Sequence, residues 1–212
     1  MVQVKICGLT EPHGLTAAIE GGADFVGFVF HPDSPRYVAP DVAAYLSSYV
    51  PERTKKVGLF VNPDIAQVQQ ILQGVALDII QLHGDEPIEF IKELKIKTGL
   101  PIIKAVNVAA KNDLATVPAY EDVAQWILFD AKTDKGAGGT GETFDWHILK
   151  DYPHKKPWML AGGLNAQNIH AALSVLTPDA VDISSGVESA RGVKDQAKIH
   201  EFLNLAKSAG KR

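Results

Sequence analysis

The sequence predicts a single α/β domain folded as a (β/α)8 (TIM) barrel over residues 1–212, and three observations carry that prediction. Eight short runs are rich in β-branched and aromatic residues and nearly continuous in apolar character, as strands buried on both faces of a parallel sheet must be. Amphipathic segments with helix-start residues lie between them. The runs begin at 3, 25, 57, 78, 102, 126, 158 and 180, spacings of 21 to 32 residues that suit strand–helix–strand crossovers. Eight such units close a barrel, and 212 residues lie near the lower end of that fold's range. The rival, an open doubly wound sheet, calls for a nucleotide motif in the first turn, which Cys7-Gly8-Leu9-Thr10 does not supply.

In chain order, the expected strands are Gln3–Cys7, Phe25–Phe30, Val57–Val61, Asp78–Leu82, Ile102–Val106, Trp126–Asp130, Trp158–Ala161 and Ala180–Ser184. After the first, Thr10 and Pro12 open a helix with Leu15, Ala18 and Ile19 on one face. Asn62-Pro63 opens another that carries Ile65, Val68, Ile71 and Leu72. Asp85 and Pro87 precede Ile91 and Leu94, and Asn165 precedes Ile169, Ala172, Leu173 and Leu176. From Asp195 the last helix aligns Ile199, Phe202, Leu203 and Ala206. Polar caps, an early proline and i, i+3, i+4 apolar spacing are the physical signals in each case. The segments after the fifth and sixth strands carry weaker periodicity.

Composition removes several classes of function. With 21 Lys and Arg against 25 Asp and Glu, the net charge is −4, and no segment gathers cations into a face for nucleic acid. The longest strongly apolar run, Phe25 to Phe30, is too short to span a bilayer. One cysteine cannot make an internal disulfide, and Met1 to Ile6 lacks the apolar core of a secretory signal. These features predict a soluble, cytoplasmic protein whose main partner is not nucleic acid.

In a barrel, chemistry belongs at the carboxyl ends of the strands. Cys7 ends the first, and is either a small buried apolar residue or a thiolate serving as base or nucleophile. Strand alternation puts Lys5 on the same inner face, and Asp182 on the neighbouring eighth strand shares it. The two either fill the barrel as an ion pair or tune Cys7. Asp130 ends the sixth strand, as a turn cap or as an acid–base group. The long segment that follows contains Gly136, Gly138 and Gly141 at dinucleotide-motif spacing. It lies too far from its strand and lacks the acidic partner, so it is read as a lid. Gly162 and Gly163 after the seventh strand, with Ser184, Ser185 and Gly186 after the eighth, suit phosphate bound through backbone amides and hydroxyls. Arg36, in a loop stiffened by Pro32 and Pro35, offers a fork to a carboxylate or is a solvated surface cation. His83 is read as structural or lid-supporting, and no metal-ligand spacing is present.

Several of these segments together resemble the phosphoribosylanthranilate isomerase family. They are Lys5-Ile6-Cys7-Gly8, Gly27-Phe28-Val29-Phe30 through Ser34-Pro35-Arg36, and Gln81-Leu82-His83-Gly84. Gly139-Thr140-Gly141 with Thr143-Phe144-Asp145-Trp146, Ala161 through Asn165, and Asp182 through Glu188 complete the set. Glu142, where the family often has lysine, and Leu59, where valine is common, are departures. The resemblance implies an intramolecular oxidoreductase-type aldose–ketose isomerase of tryptophan biosynthesis. Its reaction is the Amadori rearrangement of N-(5-phosphoribosyl)anthranilate to 1-(2-carboxyphenylamino)-1-deoxyribulose 5-phosphate, without a cofactor. It implies Cys7 as general base, Asp130 as general acid, Arg36 on the anthranilate carboxylate, and the last two loops on the phosphate. A barrel isomerase for a related aminoaldose phosphate would need aspartate in place of Cys7. A phosphate-ligand-binding barrel without catalysis would have no use for both Cys7 and Asp130. The chain is expected to be a monomer or a homodimer.

Overall fold

A computed structural model of the chain describes residues 1–131 and 145–209. Eight parallel strands close into a barrel in sequence order: β1 (Gln3–Cys7), β2 (Phe25–Val29), β3 (Lys55–Phe60), β4 (Ile79–Leu82), β5 (Ile102–Val108), β6 (Trp126–Ala131), β7 (Trp158–Leu160) and β8 (Ala180–Ile183). The seam pairs β1 with β8, Gln3 opposite Ala180 through Ile6 opposite Ile183. All eight expected strands are present, with ends that differ by no more than two residues.

Helices α1 (Pro12–Glu20), α2 (Pro40–Ser47), α3 (Ile65–Gly74), α4 (Ile88–Thr98), α5 (Val117–Glu121), α6 (His147–Lys150), α7 (Ile169–Val175) and α8 (Gln196–Ala209) lie between or after the strands. Their buried residues join one large shell with the outward-facing strand residues: Leu15 and Ala18 of α1, Val68 and Ile71 of α3, Ile199, Phe202 and Leu203 of α8. Removing the Leu, Val, Ile and Phe side chains among these from water contributes roughly 1.5–3 kcal/mol each. Starts differ from expectation in detail. Thr10 is not the cap of α1, which opens at Pro12 behind Glu11. In α3 Asp64 accepts the amide of Gln67, so the cap falls two residues after Asn62. The α2 helix has no counterpart in the expected elements, although Pro40 at its first turn and buried Ala43 and Leu46 are its signals. After β5 a 3-10 turn (Lys111–Thr116) leads into the short α5, and α6 is a single turn, in keeping with the weak periodicity there. A hairpin of β9 (Glu188–Ala190) and β10 (Val193–Lys194) follows β8 and was not anticipated.

Inside the barrel, side chains from alternating positions form layers. The lower part is apolar, with Phe25, Val57, Ile79, Ile103, Leu128 and Met159 in contact. Towards the carboxyl ends, Cys7 packs with Val29 and Leu59, and polar groups begin to enter. No helix among the described residues is long and apolar enough to cross a membrane. The lid segment, with Gly136, Gly138, Gly141 and Glu142, lies outside the described residues.

Candidate active site

A cavity opens at the carboxyl ends of the strands. Its apolar wall is Val29, Leu59 and Val61, and its polar wall includes Cys7, Arg36, His83, Asp130, Asp182 and Ser184. A smaller hollow adjoins it, shares Asp130, Asp182 and Ser184, and is lined by Gly162, Gly163 and Ser185. These two cavities are lined by every residue proposed from the sequence as catalytic or substrate-binding except Gly186, which lines neither.

Cys7 is buried at the end of β1. Two residues earlier on the same face, the Lys5 ammonium lies against the thiol and donates to Asp182 Oδ1 at 2.9 Å. Gly27 makes the space: a Cβ there would stand 2.8 Å from Cys7 Sγ and 3.2 Å from Lys5 Nζ. Burial pushes the Cys7 thiol above its usual range. The Lys5 charge opposes that, Asp182 adds to it, and Lys194 opposes it again. Burial also works against the charge on Lys5, but Asp182 and Cys7 outweigh it and hold the ammonium protonated. The ion pair expected of Lys5 and Asp182 is present inside the barrel, and its ammonium lies beside the Cys7 thiol.

Asp130 follows the apolar run of β6. Its Oδ1 accepts the amide of Ala131 at 2.8 Å, and its Oδ2 lies 3.2 Å from His83 Nε2. His83, expected to be structural or lid-supporting, lies on the wall of this cavity with Nε2 beside Asp130 Oδ2. Strand parity was the signal: 79, 81 and 83 share a face, and Ile79 and Gln81 fill the interior. The loop carrying His83 is fixed from behind. Glu86 is buried, accepts the amides of Asn62 and Gly84, and pairs with Lys104 Nζ at 2.7 Å.

Arg36 does not stand as a solvated surface cation. It is buried, and its Nε and Nη2 donate to Glu188 Oε1 and Oε2 at 2.7 and 3.0 Å. Glu188 also accepts from Lys194 Nζ at 2.8 Å and from the amide of Gly192 at 3.1 Å. Burial alone would raise the Glu188 carboxyl, but Arg36 and Lys194 pull it below its usual range. The Lys194 ammonium, by contrast, is lowered by burial. Neither Glu188 nor Lys194 was picked out as functional from sequence, since the hairpin that delivers them has no periodic signature.

Around the second hollow, Gly162 and Gly163 have φ of +85° and +64°. At Gly162 a Cβ would run into the amide of Ala131, so only glycine lets this turn pass beneath the end of β6. Asn168 Nδ2 ties back the carbonyl of Gly163 at 2.9 Å. Ser185 and Gly186 form a 3-10 turn directly after Ser184. The Ser184 hydroxyl donates to the carbonyl of Cys7 at 3.1 Å and lies 3.1 Å from Lys194 Nζ. Its proton is thus held by the rim of the barrel, and the backbone amides of the turns are the better candidates for an anion. Among the described residues no three His, Cys, Asp or Glu side chains are grouped as metal ligands.

A profile of the family described as N-(5'phosphoribosyl)anthranilate (PRA) isomerase matches residues 4–205. The N-(5'-phosphoribosyl)anthranilate isomerase of Paracoccus denitrificans is 52% identical over 208 residues, covering 97% of each chain. That of Paramagnetospirillum magneticum is 47% identical over 209 residues. The crystal structure of phosphoribosyl anthranilate isomerase from Thermotoga maritima superposes with a TM-score of 0.91 at 40% identity, covering 98% of this chain and 100% of that one. A crystal structure of such an isomerase with reduced 1-(o-carboxyphenylamino)-1-deoxyribulose 5-phosphate superposes with a TM-score of 0.87 at 37% identity. Monomers made from the dimeric Thermotoga maritima isomerase give 0.87 at 38%.

Proposed function

Because this chain belongs to the N-(5'-phosphoribosyl)anthranilate isomerase family, we propose that it rearranges N-(5'-phosphoribosyl)anthranilate with Cys7 as general base and Asp130 as general acid. The observation that carries the assignment is that one cavity is lined by both groups, with a buried ammonium against the thiol. In this reading Asp130 gives its proton to the furanose ring oxygen. The C1–O bond breaks as the anilino nitrogen's lone pair forms a C1=N bond. Cys7, as thiolate, removes the proton from C2, and the electron pair moves through C1 to nitrogen to give an enolamine. Tautomerisation moves the 2-hydroxyl proton to C1 and leaves a ketone at C2. C1 is reduced and C2 oxidised within one molecule, which is why an aldose–ketose isomerisation balances without an external oxidant or reductant.

The remaining groups suit the substrate's two ends. The turns after β7 and β8 line the hollow beside Asp130 through Gly162, Gly163, Ser184 and Ser185, where their backbone amides would cradle phosphate. Arg36, clamped at the cavity wall, brings positive charge to where an anthranilate carboxylate would lie. A bound phosphate dianion would push the thiol still higher, and Lys5 and Lys194 are the cations that oppose it. A thiol at the end of β1 favours this substrate over a related aminoaldose phosphate. We further propose a single domain and a small-molecule partner.

Adding purified protein to freshly prepared phosphoribosylanthranilate tests the reading. A catalysed loss of anthranilate-type fluorescence is expected, with the ketose product recovered; fluorescence decaying no faster than without protein would overturn it.

A further inference from the structure

Gln81 lies on the inner face of β4, fully buried, in a layer where an apolar side chain would pack without polar cost. Its Nε2 lies 3.1 Å from His83 Nδ1, while its Oε1 has no hydrogen-bond partner among the described residues. A buried amide with half its capacity unmet weakens a fold, so the contact with His83 is what the residue offers in return. An amide –NH₂ can only donate, which makes Nδ1 the acceptor and puts the ring proton on Nε2. That nitrogen faces Asp130 Oδ2 at 3.2 Å, off the line of a hydrogen bond. Contacts of this kind align fully around the reacting substrate. The Ala131 amide fixes the other oxygen of Asp130.

We propose that Gln81 and His83 are positioning residues for Asp130: Gln81 selects the Nε2–H tautomer of His83, and that N–H fixes the Asp130 carboxyl in its working orientation. The proposal rests on the reading of Asp130 as the general acid. Neither residue touches the reacting atoms in this scheme. Each acts through the next, along a line from the barrel interior to its mouth. The Glu86–Lys104 pair holds the loop that carries His83, so the imidazole has a fixed base from which to act.

The test is Gln81→Met, which keeps length and bulk and removes the amide. Because it also removes an unsatisfied buried oxygen, the variant is expected to melt at or above the wild-type temperature. A purely structural role predicts a lower melting temperature instead. Turnover (kcat) is expected to fall roughly tenfold or more with KM within about twofold, since small misplacement of a catalytic group is costly. In ¹⁵N-histidine NMR the wild-type His83 should show a protonated Nε2 and a bare Nδ1, a pattern that becomes mixed in Gln81→Met. His83→Gln, which keeps an N–H donor, should retain more turnover than His83→Leu. A wild-type His83 protonated on Nδ1, or wild-type kcat in Gln81→Met, would overturn the proposal. Asp130→Asn separates the two levels. Turnover lost there but kept in Gln81→Met refutes the positioning role alone, whereas turnover kept in Asp130→Asn refutes the acid itself.

Discussion

Lys5 and Asp182 are register partners on the strand pair that closes the barrel, and their side chains meet inside it at 2.9 Å. The same ammonium bears on the Cys7 thiol. One buried contact therefore bridges the seam and lies beside the proposed base, and changes at either residue should be read on both scales.

Lys5→Met removes the principal group that holds the thiol down, leaving burial and Asp182 to push it up. Since the base must be a thiolate, the rising limb of the pH–rate profile should move to higher pH, with turnover at neutral pH reduced. An unmoved limb would show that Lys5 does not tune Cys7. Asp182 would also be left as an uncompensated buried charge, costing about 3–5 kcal/mol in urea unfolding. Pairing the change with Asp182→Leu should recover much of that stability.

Cys7→Ser and Asp130→Asn keep shape and remove the proposed base and acid. Each should lower kcat by at least about 10²-fold, the usual scale of general acid–base catalysis. Binding of the ketose product, followed by fluorescence titration, should change much less. Near wild-type turnover in either variant would remove that residue from the mechanism.

Glu188→Gln tests the clamp on Arg36. Gln keeps one acceptor for Arg36 but sets a donating –NH₂ against its second N–H and removes the negative charge, so KM should rise roughly tenfold, with a smaller effect on kcat; unchanged KM would separate Arg36 from the carboxylate. The acid dependence of stability has a definite sign. Glu188 is held below its ordinary value near 4.5 in the folded chain, so its contribution is present above that pH and fades as pH falls through the lower folded value. Unfolding free energy should therefore fall less steeply below about pH 4.5 in Glu188→Gln than in wild type.

Gly27→Ala puts a methyl 2.8 Å from Cys7 Sγ and 3.1 Å from its Cα. Overpacking there should cost about 1–3 kcal/mol on thermal or urea unfolding, and kcat should drop because the thiol and Lys5 are both displaced. Full activity with unchanged stability would mean that the two side chains have room to spare.

The barrel and most of the mouth were legible because strands buried on both faces write themselves as apolar runs. Alternation then assigns Lys5, Cys7 and Asp182 to one face without further information. Alternation also held for Gln81 and His83, but a histidine one residue past a strand end has no local mark to say that it meets Asp130, 47 positions on (130 − 83). Glu188 and Lys194 were harder still. Their roles depend on the β9–β10 hairpin folding back onto Arg36, a contact spanning 152 positions that no period encodes. The α2 helix is not legible from the sequence because its eight residues hold only three buried side chains, too few for a clear stripe.

The hydroxyl of Ser184 has a mechanical meaning. The paired register of β1 and β8 runs only to Ile6 and Ile183, and beyond it the carbonyl of Cys7 is held by that hydroxyl. The peptide unit bearing the thiol is thus fastened to the same loop that cradles the neighbouring hollow. The two are joined there by one O–H···O hydrogen bond of 3.1 Å. A sugar stripped of its phosphate would then lose more than grip: it would meet a thiol whose aim had slackened, and it would react slowly even at saturation.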